Sequence, residues 1–329
     1  MKIVIVGAGA TGAFLGARMA RGGVDVTLVA RGAHLAAMRE QGVQVRDVEG
    51  GFVAHPPCTD DLSVVTGADA VILTLKAHSL PEIAPRLGPL LGPETAVVTA
   101  QNGIPWWYFE RHGGRLEGTR LRTVDPGGVI AAHLDARRVV GCVVYPATSL
   151  IAPGVIEHVE GTRLSLGELD GTTTDRCRAI AAALIKGGLK APIRPRIRDE
   201  IWLKLLGNVC FNPLSALTRA TMAQIAIDPG MRAVAHAVME ETDRVARALG
   251  IELAIGVDQR LAGAEKVGDH KTSMLQDVES GRPLEVEALV GAVVEIAGLL
   301  QLSLPHLRTV YACARLLDRS LQEGTGHPR

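Results

Sequence analysis

The stretch Lys2-Ile-Val-Ile-Val-Gly-Ala-Gly-Ala-Thr-Gly12 decides the fold of this 329-residue chain. Its apolar half predicts a buried strand, and its glycines predict a tight turn that opens a helix. Gly7 permits the sharp turn, Gly9 permits close approach of a pyrophosphate, and Gly12 permits the helix to pack against the strand. Free N–H groups at the helix N-terminus favour phosphate. We therefore predict a dinucleotide site, rather than a plain glycine-rich turn, formed by Gly7, Ala8, Gly9, Ala10, Thr11 and Gly12.

The end of the second predicted strand bears on which dinucleotide binds. NAD-binding proteins usually place Asp or Glu there to hold the ribose 2′-hydroxyl. Here the strand ends in Ala30-Arg31, and Asp25 lies at its opposite end. An arginine at this position would pair with a 2′-phosphate. The sequence therefore predicts NADP(H), and the alternative is that Arg31 is only a solvated loop charge.

Composition limits the classes of protein to consider. The formal net charge is zero, with 47% apolar and 21% charged residues, which gives no electrostatic bias toward nucleic acid or membrane. The five cysteines are scattered without CxxC pairs, so we predict reduced thiols, no metal site and a cytoplasmic location. The apolar stretch 284–302 contains three glutamates, which indicates an amphipathic helix rather than a membrane span.

The pattern of predicted elements changes near residue 195. The first half alternates helices with strands at 2–6, 25–30, 43–46, 70–75 and 95–100, which is typical of βαβ units on a parallel sheet. One of these helices is predicted over 79–91, and only helices follow residue 199. We predict an α/β fold with a Rossmann-type dinucleotide-binding domain at 1–195. An all-helical domain for substrate binding and dimerisation then covers 196–329.

One predicted helix, 199–211, carries polar residues at a regular spacing. Lys204, Asn208 and Asn212 are four residues apart, so they share one helix face among apolar neighbours. Polar side chains in such surroundings are unfavourable unless they are satisfied, which suggests a functional role. The alternative is an exposed polar stripe. Pro213 is predicted to end or kink the helix just after Asn212.

Other candidate residues lie at strand and helix ends. Lys76 and Asn102 follow predicted strands at the sheet edge where ligands bind, although a capping role is possible for each. Ser273 could cap a helix over 274–280, and Glu285 could be a first-turn acid; taken alone, these structural roles are favoured. The run Trp106-Trp-Tyr-Phe109 could wall a pocket or form a lid, and equally could be core or a subunit contact.

The chain resembles the ketopantoate reductase (2-dehydropantoate 2-reductase) family over nearly its whole length. The motifs that carry the resemblance are, in chain order, Gly7-Ala-Gly-Ala-Thr-Gly12, Arg31, Thr74-Leu-Lys-Ala77, Asn102-Gly103, Trp202-Leu-Lys-Leu205 with Asn208 and Asn212-Pro213, Ser273-Met-Leu-Gln-Asp277 and Gly281-Arg-Pro-Leu-Glu285. The resemblance implies NADPH-dependent reduction of an α-keto acid, 2-dehydropantoate, to (R)-pantoate in pantothenate and coenzyme A synthesis.

The resemblance also implies roles for individual residues. Lys204 looks like the family's catalytic lysine, which donates to the carbonyl oxygen, and Glu285 looks like the acid that holds the substrate's alcohol. Asn208, Asn212 and Ser273 match substrate-binding positions, and Asn102 lies at the junction of substrate and cofactor. With the glycine turn and Arg31, we place Lys76, Asn102 and Glu285 in the cofactor site.

Three departures from the family pattern leave the substrate open. Leu284, Glu287 and Val290 stand where the family usually has Thr, Asp and Asn. One alternative is a reductase of the same fold for a bulkier α-keto acid, another carbonyl or an imine. A second is a non-catalytic NADP(H)-binding sensor. The long apolar helices predicted at 229–249 and 284–300 favour a homodimer.

Overall fold

The computed structural model describes residues 1–47, 50–266, 268 and 270–324. The chain divides into two compact units. The first comprises Met1–Gln101, Trp106–Arg120 and Asp125–Ile197, and the second comprises Asn102–Pro105, Leu121–Val124 and Arg198–Arg329. Two short segments from the first half of the chain thus belong to the second unit. The functional division at 195/196 stays a prediction, and residues 325–329 of that predicted domain lie outside the described residues.

The first unit is built on a large sheet. Its strands and those of a smaller sheet are β1 (Lys2–Val6), β2 (Asp25–Val29), β3 (Val43–Arg46), β4 (Phe52–Ala54), β5 (Cys58–Thr59), β6 (Ala70–Leu73), β7 (Ala96–Thr99), β8 (Val139–Val144), β9 (Ala147–Ala152), β10 (Val155–Glu160) and β11 (Leu164–Glu168). In the described residues the large sheet has the order β11-β8-β7-β6-β1-β2-β5. It is parallel except for the β11–β8 pair. This order confirms the predicted Rossmann-type α/β fold.

The third strand does not lie where the sequence predicted. β3 belongs to the smaller sheet, of order β4-β3-β10-β9, rather than to the parallel sheet. The reason is visible in its side chains, because Val43 and Val45 are buried whereas Gln44 and Arg46 are not. Such alternation suits a sheet with one covered face, while the central strands of the large sheet are buried on both faces.

The first helix lies between the two sheets. α1 (Ala10–Arg21) packs against β1 and β2 on one side and against the smaller sheet on the other. Phe14 stacks on His158 of β10 with ring centroids 4.4 Å apart. Gly16 faces β2 so closely that an added Cβ would overlap the Leu28 side chain, with 3.1 Å to its Cγ. The close approach of helix and strand therefore depends on glycine at this position.

The remaining helices of the first unit are short. They are α2 (Gly32–Gln41), α3 (Leu80–Ile83), α4 (Val129–His133) and α5 (Asp175–Lys186). The single helix predicted over 79–91 is wrong, because α3 gives way to 3₁₀ turns at Ala84–Arg86 and Gly88–Leu90. Pro81, Pro85 and Pro89 recur every fourth residue, and each lacks the N–H that an α-helix needs.

The second unit is helical. Its helices are α6 (Ile197–Thr218, whose first residue belongs to the first unit), α7 (Met222–Ile227), α8 (Pro229–Ala248), α9 (Val257–Lys266), α10 (Ser273–Glu279), α11 (Ala292–Leu299) and α12 (Pro305–Gly324). A π-helical turn, Glu287–Gly291, precedes α11. Of the two outcomes predicted for Pro213, an end of the helix is wrong, since α6 continues to Thr218, and a kink stays a prediction. The side chains around Pro213 are buried, and their packing stabilises the helix across the missing hydrogen bond.

A helix that crosses a lipid bilayer must be both long and predominantly apolar. Within the described parts of the chain, no helix is both long enough and apolar enough to cross a membrane.

Replacing Gly16 by alanine tests the packing of α1. We expect Gly16→Ala to lower the free energy of unfolding by about 1–3 kcal/mol, because the new methyl group overpacks against Leu28. The matched control is Gly263→Ala in the interior of α9, where an added Cβ meets no atom within 4 Å. That change should raise stability by about 0.5–1 kcal/mol. Urea unfolding measures both, and a stabilised Gly16→Ala protein would contradict the packing described.

Candidate functional site

The glycine turn between β1 and α1 is shaped by the protein's own packing at two positions. Gly7 has φ 95°, and an added Cβ would lie 2.7 Å from the backbone nitrogen of Leu75. A Cβ on Gly12 would lie 2.7 Å from the carbonyl oxygen of Gly7. Side chains at either position would therefore displace the turn. These contacts account for the sharp turn and for the close packing of α1 on the strand.

Gly9 is different, because the folded chain itself leaves room for a side chain there. The nearest atom to an added Cβ is the Gly7 carbonyl oxygen, at 4.0 Å. The first turn of α1 carries no acidic residue, and its N-cap has no side-chain hydrogen bond. Free N–H groups and open space at one helix N-terminus fit the pyrophosphate of a dinucleotide. The glycine turn thus has the shape and the donors that such a cofactor requires.

Sequence reasoning missed a residue that holds this turn. Thr74 follows β6, and its hydroxyl donates hydrogen bonds to the carbonyl oxygens of Gly7, at 2.9 Å, and Val6, at 3.3 Å. The only signal for Thr74 in the sequence was its place at the start of the motif Thr74-Leu-Lys-Ala77, directly after a strand. Thr74 therefore links the end of β6 to the glycine turn.

Arg31 and Lys76 follow the strands on either side of β1. Arg31 is the N-cap of α2, and its side chain is exposed. The first turn of α2 has no acidic residue. Burial lowers the pKa of the neighbouring His34, so its imidazole is neutral near pH 7. The Nδ1 of His34 accepts a hydrogen bond from the Gly154 N–H. The positive charge at the start of α2 therefore comes from Arg31. Lys76 is half-buried at the start of the 3₁₀ turn Ala77–Ser79.

A lysine–asparagine pair lies in the second unit. The ammonium of Lys204, on α6, donates to the side-chain oxygen of Asn102 at 2.7 Å. Both side chains are half-buried. Asn102 is separated from Lys204 by 102 positions, yet it belongs to the same compact unit. The structure therefore joins two residues that the sequence placed in different predicted domains.

The two asparagines of α6 do not form an exposed stripe. Asn208 is half-buried, and Asn212 is only 4% exposed. The Nδ2 amide of Asn212 has no hydrogen-bond partner among the described residues. An unpartnered buried amide is unfavourable, so it indicates a position where a bound molecule supplies the acceptor.

Glu285 is held by the loop that precedes it. The Arg282 guanidinium lies 3.0 Å from the Asp277 carboxylate, and the Leu284 N–H donates to Asp318 at 2.8 Å. The Glu285 side chain is 9% exposed. Asp318 lies on α12, 34 positions away from Leu284, and no local pattern in the sequence pointed to it. Partly buried contacts from α10 and α12 thus fix the backbone on which Glu285 stands.

Ser273 does not cap α10. The N-cap is Thr272, whose hydroxyl accepts from the Leu275 N–H at 3.1 Å. Ser273 is the first helical residue, and its side chain is exposed. It is therefore accessible to a small molecule.

The aromatic run belongs to the interior of the first unit. Trp106, Trp107, Tyr108 and Phe109 are all 7% exposed or less. The Trp107 indole N–H donates to Thr99 at 2.8 Å, and its ring contacts the backbone at Gly141 closely enough to exclude a Cβ. Of the roles open from the sequence, the observed burial favours core packing over a lid.

Together, the large parallel sheet and the open glycine turn define a dinucleotide-binding protein of the Rossmann class, with a helical second unit that carries a Lys–Asn pair. The ketopantoate reductase PanE/ApbA family matches residues 3–108, and its C-terminal domain matches residues 196–318. The chain belongs to the ketopantoate reductase family.

Individual relatives are similar over nearly their full length. A 2-dehydropantoate 2-reductase of Mesorhizobium japonicum is 49% identical, over 96% of this chain and 98% of that protein. One from Halobacterium salinarum is 30% identical over 97% and 99%. A crystal structure from Ralstonia solanacearum, of a protein assigned as a ketopantoate reductase, has a TM-score of 0.92 at 39% identity and covers 97% and 98% of the two chains.

Substituting Asn212 tests whether its amide lacks a partner in the free protein. We expect Asn212→Leu to raise the free energy of unfolding by about 1 kcal/mol, because it removes an unsatisfied buried donor at similar volume. Urea unfolding without ligands is the measurement. Asn102→Leu, which deletes a formed hydrogen bond, should lower stability in the same assay. A destabilised Asn212→Leu protein would mean that the amide is satisfied by the fold.

Proposed function

We propose that this chain is an NADPH-dependent reductase that converts 2-dehydropantoate to (R)-pantoate. The observation that carries the proposal is the Lys204–Asn102 hydrogen bond in the helical unit of a ketopantoate reductase family member. The 49% identical relative from Mesorhizobium japonicum bears this activity as its name. The reaction adds a hydride to the carbonyl carbon and a proton to its oxygen, and the product enters pantothenate synthesis.

The first unit supplies the cofactor-binding residues. The backbone of Gly7–Gly12 and the N-terminus of α1 receive the pyrophosphate, and Gly9 provides the space. Arg31 pairs with the 2′-phosphate, which makes the nicotinamide cofactor NADP(H) rather than NAD(H). Lys76 completes this group at the neighbouring strand end. The bound cofactor supplies the hydride.

Lys204 supplies the proton. One N–H of its ammonium donates to the side-chain oxygen of Asn102, which holds the donor in place. A donor held toward the carbonyl oxygen stabilises the negative charge that grows there as hydride arrives, and then transfers its proton to that oxygen. Asn102 orients the ammonium by accepting one of its hydrogen bonds.

The remaining polar side chains bind the substrate's other groups. The Glu285 carboxylate accepts from the substrate hydroxyl, which is an appropriate partner for a buried acid. Asn212 Nδ2 is a donor for which the described residues offer no acceptor, and it suits an oxygen of the substrate. Asn208 and Ser273 add a half-buried and an exposed donor. We assign Glu285, Asn212, Asn208 and Ser273 to substrate binding. Asn102 and Glu285 are in addition assigned to the cofactor site.

The departures from the family pattern are explained by packing within the second unit. Leu284 and Val290 are buried, and Glu287 accepts from the Tyr311 hydroxyl at 2.6 Å and lies 3.2 Å from Arg315. Burial, together with this bond to Glu287, raises the pKa of Tyr311. These packing and hydrogen-bond contacts explain the presence of Leu284, Glu287 and Val290 without a different substrate. They therefore favour ketopantoate over a bulkier keto acid.

The proposal includes a cytoplasmic homodimer. Its support is the absence of paired cysteine motifs in the sequence and the long helices α8 and α12 of the second unit. Analytical ultracentrifugation measures the mass directly.

Removing the proton donor tests the catalytic assignment. Lys204→Ala should lower kcat about 10²–10⁴-fold, because general acid help and charge stabilisation act mainly in the transition state. NADPH binding should persist, since the residues assigned to its pyrophosphate and 2′-phosphate lie in the other unit. Lys266→Ala, at an exposed lysine of α9, is the control. Steady-state NADPH oxidation with ketopantoate gives both rates, and near-normal turnover by Lys204→Ala would reject the assignment.

Removing the charge at the end of β2 tests cofactor choice. Arg31→Ala should weaken NADPH binding by about 1.5–3 kcal/mol, roughly ten- to a hundredfold in Kd, through loss of a charge-assisted contact. NADH binding should change little, because NADH lacks the 2′-phosphate. Arg39→Ala, at the exposed end of the same helix, should alter neither. Fluorescence titration gives the four constants, and equal losses for both cofactors would contradict NADP(H) selection.

A further inference from the structure

The helix that follows Glu285 begins with an unusual turn. Glu287–Gly291 is π-helical, and the N–H of Ala292 bonds to the carbonyl of Glu287, five residues earlier. A π turn places one extra residue in the helix, and such turns are often found at functional sites. In the proposed function this turn has no assigned role.

The π turn holds the segment that carries Asn102. The carbonyl oxygen of Ala288 accepts from the Ile104 N–H at 2.9 Å. Gly103 has φ 85°, and an added Cβ would lie 2.5 Å from the Ala288 carbonyl carbon and 3.0 Å from its Cβ. Ala288 and Ile104 are both buried. The backbone of Asn102–Pro105 therefore rests directly on the π turn, at a distance that only glycine allows.

We infer that Gly103 and Ala288 are positioning residues for the proton donor. By holding Gly103 and Ile104 against the π turn, they fix the neighbouring Asn102 so that its side-chain oxygen lies 2.7 Å from the Lys204 ammonium. The inference rests on the proposed function, because it gives Lys204 its role. A small displacement of Asn102 would release the ammonium from its orientation, and misplacement by about 1 Å can lower a rate by about 10²-fold.

The same turn also connects to the other end of the site. The backbone carbonyl of Glu285 accepts from the Leu289 N–H at 3.1 Å. One short segment of chain therefore supports two groups, Glu285 through its own backbone and the Lys204–Asn102 pair through Gly103. These two contacts account for the π turn at Glu287–Gly291. Ala288 must approach Gly103 while the Glu285 carbonyl keeps its hydrogen bond to Leu289.

A double-mutant cycle in kcat tests the positioning role. Gly103→Ala should lower kcat about 10–100-fold at saturating NADPH. In an Asn102→Ala background the same change should have little further effect, because its target is already absent. Gly113→Ala is the matched control: that glycine also has positive φ (76°) but no atom lies within 4 Å of an added Cβ. Losses that add in the double mutant would overturn the inference.

Amide exchange in the unmodified protein gives a second readout that does not require the variants to fold or the substrate to be correct. The Ile104 N–H should exchange slowly with solvent, because it is buried and bonded to Ala288. Exchange at the rate of an exposed loop amide would overturn the inference. Failure of the unmodified protein to reduce ketopantoate would instead reject the proposed function, and the exchange rate would still decide the contact.

Discussion

The close packing of α1 on the large sheet is the contact on which the rest of the first unit depends. Gly12 approaches the Gly7 carbonyl, and Gly16 approaches Leu28, at distances that leave no room for a Cβ. Because the helix lies this close, its N-terminus meets the carboxyl ends of β1 and β6, where Thr74 secures the turn. Backbone donors at that edge can then bind phosphate without any charged side chain in the turn itself.

The second unit differs from the first because it holds polar side chains in an apolar helical interior. Lys204 is held by Asn102, and the Glu285 backbone is held through contacts to Asp277 and Asp318. The Asn212 amide nitrogen has no hydrogen-bond partner in the part of the chain that the structure describes. Such a group lowers the stability of the free protein and is expected where a ligand completes the hydrogen bonds.

The two units therefore differ in the groups that they offer to a ligand, which are backbone groups in the first and side chains in the second. In the proposed function, the first binds its ligand chiefly through backbone N–H groups and open space at Gly9, and Arg31 adds selectivity. The second uses side chains on α6 and around α10 and α11, whose positions depend on neighbouring helices.

Local patterns in the sequence were sufficient for the strands β1, β2, β6 and β7, for the glycine turn and for the helical spacing of the polar residues on α6. Each of these is encoded within about ten neighbouring residues, through hydrophobic period, backbone freedom or charge. The same patterns failed at β3, whose alternation was read without knowing which sheet it joins. They also failed at Pro213, where packing of distant side chains overrides a missing hydrogen bond.

Only the tertiary structure decided which residues meet. The sequence proposed Asn102 and Lys204 separately, and their hydrogen bond spans 102 positions. The contacts of Leu284 with Asp318, and of Gly103 with Ala288, join segments that share no local pattern. A one-dimensional pattern records how each segment folds on itself, whereas these contacts follow from how helices pack. The sequence by itself thus determined the fold class and proposed the candidate site residues, and packing determined which of those residues meet.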